Sequence, residues 1–390
     1  MDIKIVIGKN FGDEGKGLAT DYFASKSENA LVIKHNGGAQ AGHTVDKESG
    51  RFVFHQLSSG SFYSASTYLA KTFCPDLLKL PEEIEDFRKQ EGIVVPLYID
   101  ANCKITTVYD VILNSIIEEA RGNARHGSCG MGIFETVVRN SIKGYKMELD
   151  EFACLSMEER IGFLEKLRCD YVPKRLAKEN ITLDESSEWY YLLSSGELSV
   201  NAAYDMSKAY SYFTMVTNPK ELIKDFNTLI FEGAQGLMLD WDNEEYAPHL
   251  TASKTGSANP VSLLNEWGVQ IDEHNTEVCY VTRSYVTRHG AGRLDYEISA
   301  DQIPDYLVDQ TNVYNKWQDN LRFALHPSDP EVFWKYIKLD LKEYASKPKV
   351  SLLITHLNET NGKLLGAEGL AFGDDIEIKR SQTPYSKDIV

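Results

Sequence analysis

The sequence predicts an α/β protein in which a mainly parallel central sheet is flanked by helices. Short apolar runs typical of buried strands alternate with helical patterns along all 390 residues. The first run, Met1 to Gly8, leads into a glycine-rich stretch and then an amphipathic segment. That order opens a nucleotide-binding unit like those of P-loop nucleoside triphosphatases. Because no Ser-, Gly- or Pro-rich linker divides the chain, we expect a single domain over residues 1–390.

The expected elements follow in order along the chain. Apolar runs mark the strands at Met1–Gly8, Leu31–Lys34, Val53–Leu57, Ile93–Ile99, Thr228–Phe231, Val278–Thr282 and Val350–Thr355. Helical patterns lie between them at Val108–Arg121, Glu151–Leu167, Ala202–Val216 and Pro330–Tyr344. The stretch from about residue 149 to 220 is mostly helical, and we expect it to form a helical cap beside the sheet.

Charge and composition exclude several classes of partner. The formal net charge is −17, which opposes non-specific binding to nucleic acid or to an anionic membrane but not binding of a small anionic substrate. No apolar run reaches the roughly 18 residues that span a bilayer, and the N-terminus has no secretory pattern. The six cysteines form no close cluster, so we expect no zinc site and a cytoplasmic protein.

The first glycine-rich loop, Gly12-Asp13-Glu14-Gly15-Lys16-Gly17, has features of a phosphate site. Glycines let backbone N–H groups approach phosphate oxygens, and Lys16 supplies a positive charge. The strict P-loop pattern is not met, because Gly17 replaces the Ser or Thr that would hold Mg²⁺. Asp13 is a candidate for that metal role. The alternative is a simple strand-to-helix turn with a solvated lysine.

A second glycine loop, Gly37-Gly38-Ala39-Gln40-Ala41-Gly42-His43-Thr44, follows the second expected strand. His43 is a candidate general acid, although a histidine in this position is often only a hydrogen-bonded loop residue. If the two strands are neighbours in a parallel sheet, both loops lie at its carboxyl edge. A third loop, Phe231-Glu232-Gly233-Ala234-Gln235-Gly236, ends another strand, and Gln235 could hydrogen-bond an amide-like ring edge.

These three loops, in this order, resemble the adenylosuccinate synthetase family. That family carries a GDEGKG loop, a GG-x-x-AGHT loop and an FEGAQG loop. Further stretches resemble its Y-x-TR-x-GAG, TTGRGIG and TSSNTT segments; here they are residues 285–292, 127–133 and 251–256. The resemblance spans about residues 3 to 360.

The resemblance implies a ligase that joins L-aspartate to C6 of a purine nucleoside monophosphate such as IMP. The reaction runs through a 6-phosphoryl intermediate and is driven by GTP or ATP with Mg²⁺. The implied catalytic residues are Asp13 and His43, and the implied Mg²⁺ ligands are Asp13 and the Gly42 carbonyl. The implied nucleotide-binding residues are Gly12, Glu14, Gly15, Lys16, Gly17, Thr44 and Asn358. The implied substrate-binding residues are Asn36, Gln40, Ser128, Cys129, Arg139, Gln235, Thr255 and Arg322.

Departures from the family pattern leave alternatives open. The arginine-rich run that holds aspartate is absent, and Arg322 is the best remaining candidate. Arg139 is the nearest match to an arginine that members contribute across a homodimer, which we therefore expect here. Asn358 replaces a guanine-binding carboxylate, which suits adenine better. One alternative is thus 2-aminoadenylosuccinate synthetase, which uses dGMP and ATP. Another is a catalytically silent nucleotide-binding regulatory protein, favoured by the lost arginines but opposed by the retained Asp13, Lys16 and His43.

Overall fold

A computed structural model describes residues 1–122, 125, 128, 130–299 and 321–390. Within them, one nine-stranded sheet has only parallel pairings. Across the sheet the strands are β13 (Ile376–Arg380), β12 (Lys349–Thr355), β9 (Thr276–Arg283), β1 (Asp2–Gly8), β8 (Thr228–Gly236), β2 (Ala30–Lys34), β5 (Ser66–Leu69), β6 (Leu97–Asp100) and β7 (Thr214–Val216). Two small antiparallel pairs are β3 (His43–Lys47) with β4 (Gly50–Phe54) and β10 (Val286–Arg288) with β11 (Arg322–Ala324).

The centre of the sheet explains why its strands are near-continuous apolar runs. All eight residues of β9 are buried, and β1 between β9 and β8 is buried from Ile5 onward. Strands covered on both faces need apolar side chains on both, as is usual in parallel sheets. Strand β8 lies between β1 and β2, so the first two strands are not neighbours. All three are parallel, and the third glycine loop therefore lies between the first two.

The helices flank the sheet and extend beyond one end of it. They are α1 (Lys16–Ser25), α2 (Leu80–Glu91), α3 (Val108–Arg121), α4 (Ile133–Asn140), α5 (Leu149–Cys154), α6 (Met157–Lys166), α7 (Val172–Lys178), α8 (Glu188–Ser194), α9 (Glu197–Lys208), α10 (Pro219–Leu222), α11 (Ala258–Trp267) and α12 (Pro330–Asp340). One buried apolar cluster packs α11 and α12 on the sheet, and a second packs α1 on the other face. A third joins β5 and β6 to α3, α5, α6, α7 and α9.

The fold class predicted from the sequence is confirmed. Helix α3 has the predicted bounds because a reciprocal capping box closes its first turn: the Thr107 side chain accepts from the Asp110 N–H, and the Asp110 carboxylate accepts from the Thr107 N–H. The β-like run Val53–Leu57 overlaps β4 but adds no strand to the central sheet, since β4 pairs only with β3 among the described residues. No helix in the described ranges is both long and apolar enough to cross a bilayer.

Candidate active site

Two cavities meet at the carboxyl edge of the central strands. One, of about 280 Å³, is bordered by the second and third glycine loops, α3 and α4. The other, of about 720 Å³, lies over the N-terminus of α1 and beside the end of β12. Four residues line both cavities: Gly12, Asp13, Gly42 and His43. The two predicted catalytic side chains are therefore located where a ligand in one cavity would meet a ligand in the other.

The first glycine loop is folded around Glu14. The buried Glu14 carboxylate accepts from the N–H groups of Asn10 and Gly12, each at 2.9 Å. Gly12 has φ +121°, and a Cβ there would lie 2.8 Å from Gln235 Cα, so only glycine lets the first loop pack against the third. Glu14 lines neither cavity. Its carboxylate shapes the first glycine loop, and nucleotide binding by Glu14 stays a prediction.

Lys16 is buried at the start of α1. Its ammonium contacts the Gly12 carbonyl and lies 3.5 Å from the Glu14 carboxylate. Gly15, Lys16, Gly17 and Thr44 all line the larger cavity. A buried ammonium beside a helix N-terminus suits phosphate oxygens.

His43 is held by a buried charged cluster. Its Nδ1 donates to Glu232 Oε1 at 2.8 Å, and Glu232 also accepts from the backbone N–H and the hydroxyl of Ser59. The Lys34 ammonium lies 3.5 Å from the same carboxylate, and both groups are buried. Because Nδ1 is engaged by Glu232, Nε2 is the ring nitrogen left for a ligand.

Burial controls protonation in this cluster. Desolvation lowers the pKa of His43 to about 4, although Glu232 opposes the shift. Burial would raise the pKa of Glu232, but the Lys34 charge and the His43 and Ser59 hydrogen bonds outweigh it and hold that pKa below its usual range. Near neutral pH this gives a carboxylate that accepts from a neutral imidazole and is balanced by the lysine.

Asp13 has a more open environment. Its side chain is 37% exposed, and its Oδ2 lies 3.5 Å from His289 Nε2. The Asp13 backbone carbonyl accepts from Arg283 Nε, and Arg283 is buried. The backbone is thus fixed while the carboxylate faces both cavities.

Several residues that line the smaller cavity carry buried polar atoms that have no hydrogen-bond partner within the described chain. They are both amide atoms of Gln40, Oε1 of Gln235, Nε of Arg288 and Nδ1 of His289. Buried polar groups are normally hydrogen-bonded, and several unpaired ones around one cavity indicate a polar ligand. Ser128 also lines this cavity, and its hydroxyl donates to Asn114. Cys129 lies outside the described residues.

Three predicted substrate-binding residues are used inside the chain. The Asn36 amide exchanges two hydrogen bonds with the Ala234 backbone, and the Thr255 N–H donates to Asp240. Arg139 is fully buried, with Nε 2.8 Å from Asp110 Oδ1 and further donors on the carbonyls of Ile105 and Tyr145. None of the three lines either cavity, and their roles in substrate binding stay predictions. Thr251, four residues before Thr255, does line the smaller cavity.

Arg322 also differs from expectation. Its guanidinium binds Glu297 at 2.8 and 2.5 Å, and its Nη1 donates to the carbonyls of Gly290 and Gly292. It lines neither cavity. These groups engage its donors, so Arg322 braces the loop at 289–292, and its pairing with an aspartate carboxylate stays a prediction.

Asn358 borders the larger cavity, as Lys16 does. It is exposed, on the turn after β12, and Asn361, Thr383 and Pro384 line the same region. Among the residues that line this cavity, Glu359 accepts a 2.5 Å hydrogen bond from Tyr285. The larger cavity therefore presents an amide at position 358, and the contact of this amide with a base stays a prediction.

The residues present fit Mg²⁺ in one specific way. No group of three or more His, Cys, Asp or Glu in the described ranges could hold a metal ion. Mg²⁺ at phosphoryl-transfer sites is usually held by one or two carboxylates together with substrate phosphates. That donor set is matched by the half-exposed Asp13 carboxylate and the exposed Gly42 backbone, which both border the larger cavity.

Several residues at the site were missed from sequence, namely Lys34, Ser59, Glu232, Arg288 and His289. A signal existed for Glu232, because a carboxylate in an otherwise apolar buried strand must have a partner. No local pattern could have paired His289 with Asp13, which is distant in sequence.

Comparison with known proteins assigns the chain to a family. The family model of adenylosuccinate synthetase matches residues 5–316. The chain belongs to the adenylosuccinate synthetase family. The adenylosuccinate synthetase of Clostridium botulinum is 28% identical over 324 residues, covering 80% of this chain and 70% of that protein. That of Picrophilus torridus is 30% identical over 309 residues, covering 77% and 66%. The chain is accordingly a nucleotide-binding C–N ligase of purine biosynthesis.

Solved structures show the same fold. Fully ligated adenylosuccinate synthetase from Plasmodium falciparum matches with a TM-score of 0.71 at 18% identity, over 100% of this chain and 99% of that one. Succinoaminodeoxyadenylate synthetase of cyanophage S-2L, bound to dGMP and dATP, matches with a TM-score of 0.63 at 14% identity, over 100% and 95%. At these identities the comparison concerns the fold alone. Adenylosuccinate synthetases generally require Mg²⁺ and act on nucleotide and aspartate substrates.

Proposed function

We propose that this adenylosuccinate synthetase binds its purine nucleoside monophosphate in the smaller cavity and its triphosphate in the larger one. The observation that carries the proposal is the wall shared by the two cavities, which contains Asp13 and His43. A ligase that phosphorylates one nucleotide with another needs both to meet at its acid–base groups. Gln40 and Gln235 supply unpaired amides for the phosphate and base of the monophosphate.

In this proposal Asp13 is the general base. Its carboxylate accepts the proton from purine N1, which moves negative charge onto the 6-oxygen. His43 Nε2 is hydrogen-bonded at the reacting oxygens, because Glu232 engages Nδ1 and fixes the ring. Lys16 and the N-terminus of α1 bind the phosphate that is transferred. The amine of aspartate then attacks C6, and the C6–O bond breaks to release inorganic phosphate.

The Asp13 carboxylate and the Gly42 carbonyl would hold Mg²⁺, together with phosphate oxygens of the triphosphate. The ion would neutralise phosphate charge there. The negative charge of Asp13 thereby serves two neighbouring groups, which explains why its carboxylate borders both cavities.

The second nucleotide is proposed to be ATP at least as readily as GTP. Asn358 carries this part, since an amide offers one acceptor where a guanine-binding carboxylate offers two. Asn358 also keeps the phage-type synthetase, which uses dGMP together with ATP, as the second candidate. We also retain a homodimer and a cytoplasmic location as predictions from the family. The buried Arg139 no longer supports the homodimer; the oligomeric state can be checked by light scattering.

A substrate matrix tests the proposal. Phosphate release is measured with aspartate, with IMP, dIMP, GMP or dGMP, and with GTP or ATP. We expect turnover with at least one purine monophosphate, and absence of turnover with all of them would favour a silent nucleotide-binding protein. In the same assay Asn358→Asp should shift preference toward GTP by about 1.5–3 kcal/mol, the usual contribution of a charge-assisted hydrogen bond.

Asn361→Asp is the matched control, because it adds the same charge to the same cavity three residues away. It should leave the ratio of GTP to ATP unchanged. A parent enzyme with strong GTP preference, or an equal shift in both variants, would contradict the role given to Asn358.

A further inference from the structure

The contact between Asp13 and His289 joins two parts of the chain that are far apart in sequence. His289 follows β10, and its Nε2 lies 3.5 Å from Asp13 Oδ2. Both residues line the smaller cavity, where the purine is proposed to bind. Among the described residues, His289 is the side chain that contacts the Asp13 carboxylate. In the family motif Y-x-TR-x-GAG the position of His289 is variable, so the motif assigns it no role.

His289 lies on a loop that is held from two sides. Arg322 donates from Nη1 to the carbonyls of Gly290 and Gly292, and it is anchored on Glu297. The buried Arg288 donates to the carbonyls of Arg293 and His249, and its guanidinium stacks on Phe11 at 4.7 Å. This bracing fixes the backbone from which the imidazole reaches Asp13.

On the opposite side of the shared wall, a histidine is likewise paired with a carboxylate. There His43 is oriented by Glu232, which comes from the third glycine loop. Asp13 is half-exposed, and its backbone carbonyl accepts from Arg283. A carboxylate on a glycine loop can rotate freely unless a side chain holds one of its oxygens.

We propose that His289 is a positioning residue for Asp13: its Nε2–H holds Oδ2 and thereby fixes the rotation of the carboxylate that accepts the proton from purine N1. This inference rests on the proposed role of Asp13 as the base. The role requires only that the ring carry a proton on Nε2. Glutamine at this position keeps a side-chain N–H donor, whereas valine removes it at similar bulk near the backbone.

The test is a double-mutant cycle with His289→Val, His289→Gln, Asp13→Asn and the double variant Asp13→Asn/His289→Val. His274→Val, at an exposed histidine elsewhere, is the matched control. Phosphate release gives kcat and KM, and calorimetry gives the Kd of the purine monophosphate alone. We expect His289→Val to lower kcat about 10- to 100-fold, as expected when a catalytic group is misplaced. KM and Kd should change less than about threefold, and His289→Gln should restore most of kcat.

In the Asp13→Asn background, His289→Val should change kcat by less than about twofold, because the group it positions is gone. Equal losses in both backgrounds, a glutamine variant as slow as valine, or a change confined to Kd would overturn the inference. Full turnover by Asp13→Asn would overturn the proposed base and the inference together. A slow Asp13→Asn enzyme with additive losses would overturn the inference alone.

Discussion

The two catalytic side chains lie in opposite environments although they share one wall. His43 is buried against Glu232, Lys34 and Ser59, in a cluster whose charges compensate one another. Asp13 is half-exposed on a glycine loop. The difference shows how stability and chemistry are divided: the histidine belongs to the core of the sheet, whereas the aspartate belongs to the cavities. Mutations on the two sides should therefore differ in what they damage.

The largest expected effect is a loss of turnover, which tests the catalytic role proposed for both Asp13 and His43. Asp13→Ala and His43→Ala should each lower turnover at least about 10²–10⁴-fold, the usual contribution of an acid–base group. Asp13→Ala also removes the proposed Mg²⁺ ligand. ADP or GDP release at saturating substrates measures the loss, with circular dichroism to verify folding. A folded variant that stays within about threefold of the parent would refute the role given to that residue.

The next largest effect is a loss of folding stability, which we expect on the His43 side of the shared wall and not on the Asp13 side. Glu232→Gln removes the charge that balances buried Lys34, and breaking a buried pair in this way costs about 3–5 kcal/mol. It should also lower kcat about 10- to 100-fold, as is typical when a partner that orients a histidine is lost. Urea unfolding and steady-state kinetics measure the two effects. Glu297→Gln is the control, because that carboxylate is paired with Arg322 at the surface. If both variants lose equal stability, the contrast drawn here is wrong.

The sequence predicted the glycine loops of the shared wall better than it predicted the long-range pairings that hold them in place. The glycine loops predicted a phosphate site at the sheet edge because glycine permits close backbone approach, and both loops line the cavities. Long-range pairings could not be predicted, because nothing local in β8 indicates that it inserts between β1 and β2. The partners of Arg139 and Arg322 could not be predicted for the same reason: an arginine's partners depend on which carboxylates the fold brings near, here Asp110 and Glu297.

Acid is expected to lower the folding stability by a smaller amount, through the buried histidines His35 and His43. Burial lowers the pKa of His35 to about 3 and that of His43 to about 4, from the usual 6.5. At pH values between the folded-state pKa of each histidine and 6.5, the unfolded chain binds more protons than the folded chain. The stability that depends on the neutral rings is therefore present above pH 6.5 and is lost as pH falls toward 4. From pH 7 to pH 5 each such histidine should cost about 2 kcal/mol.

Urea midpoints at pH 7 and pH 5 measure this loss. His35→Gln removes one of the buried titrating rings, and it should flatten the dependence while the parent stays steep. His274→Gln, at an exposed histidine, should leave the slope unchanged. A variant as steep as the parent would show that His35 does not remain neutral on folding.

The smallest expected effect completes the contrast. Asp13→Asn should change the free energy of unfolding by less than about 0.5 kcal/mol, because its carboxylate is half-exposed and holds no buried charge in balance. Removing a negative charge that faces both cavities could even stabilise the unliganded protein, as often happens at functional sites. Urea unfolding without ligands measures the change against Glu232→Gln. A loss as large as that of Glu232→Gln would mean that Asp13 supports the fold, and its role could no longer be separated from the structure that carries it.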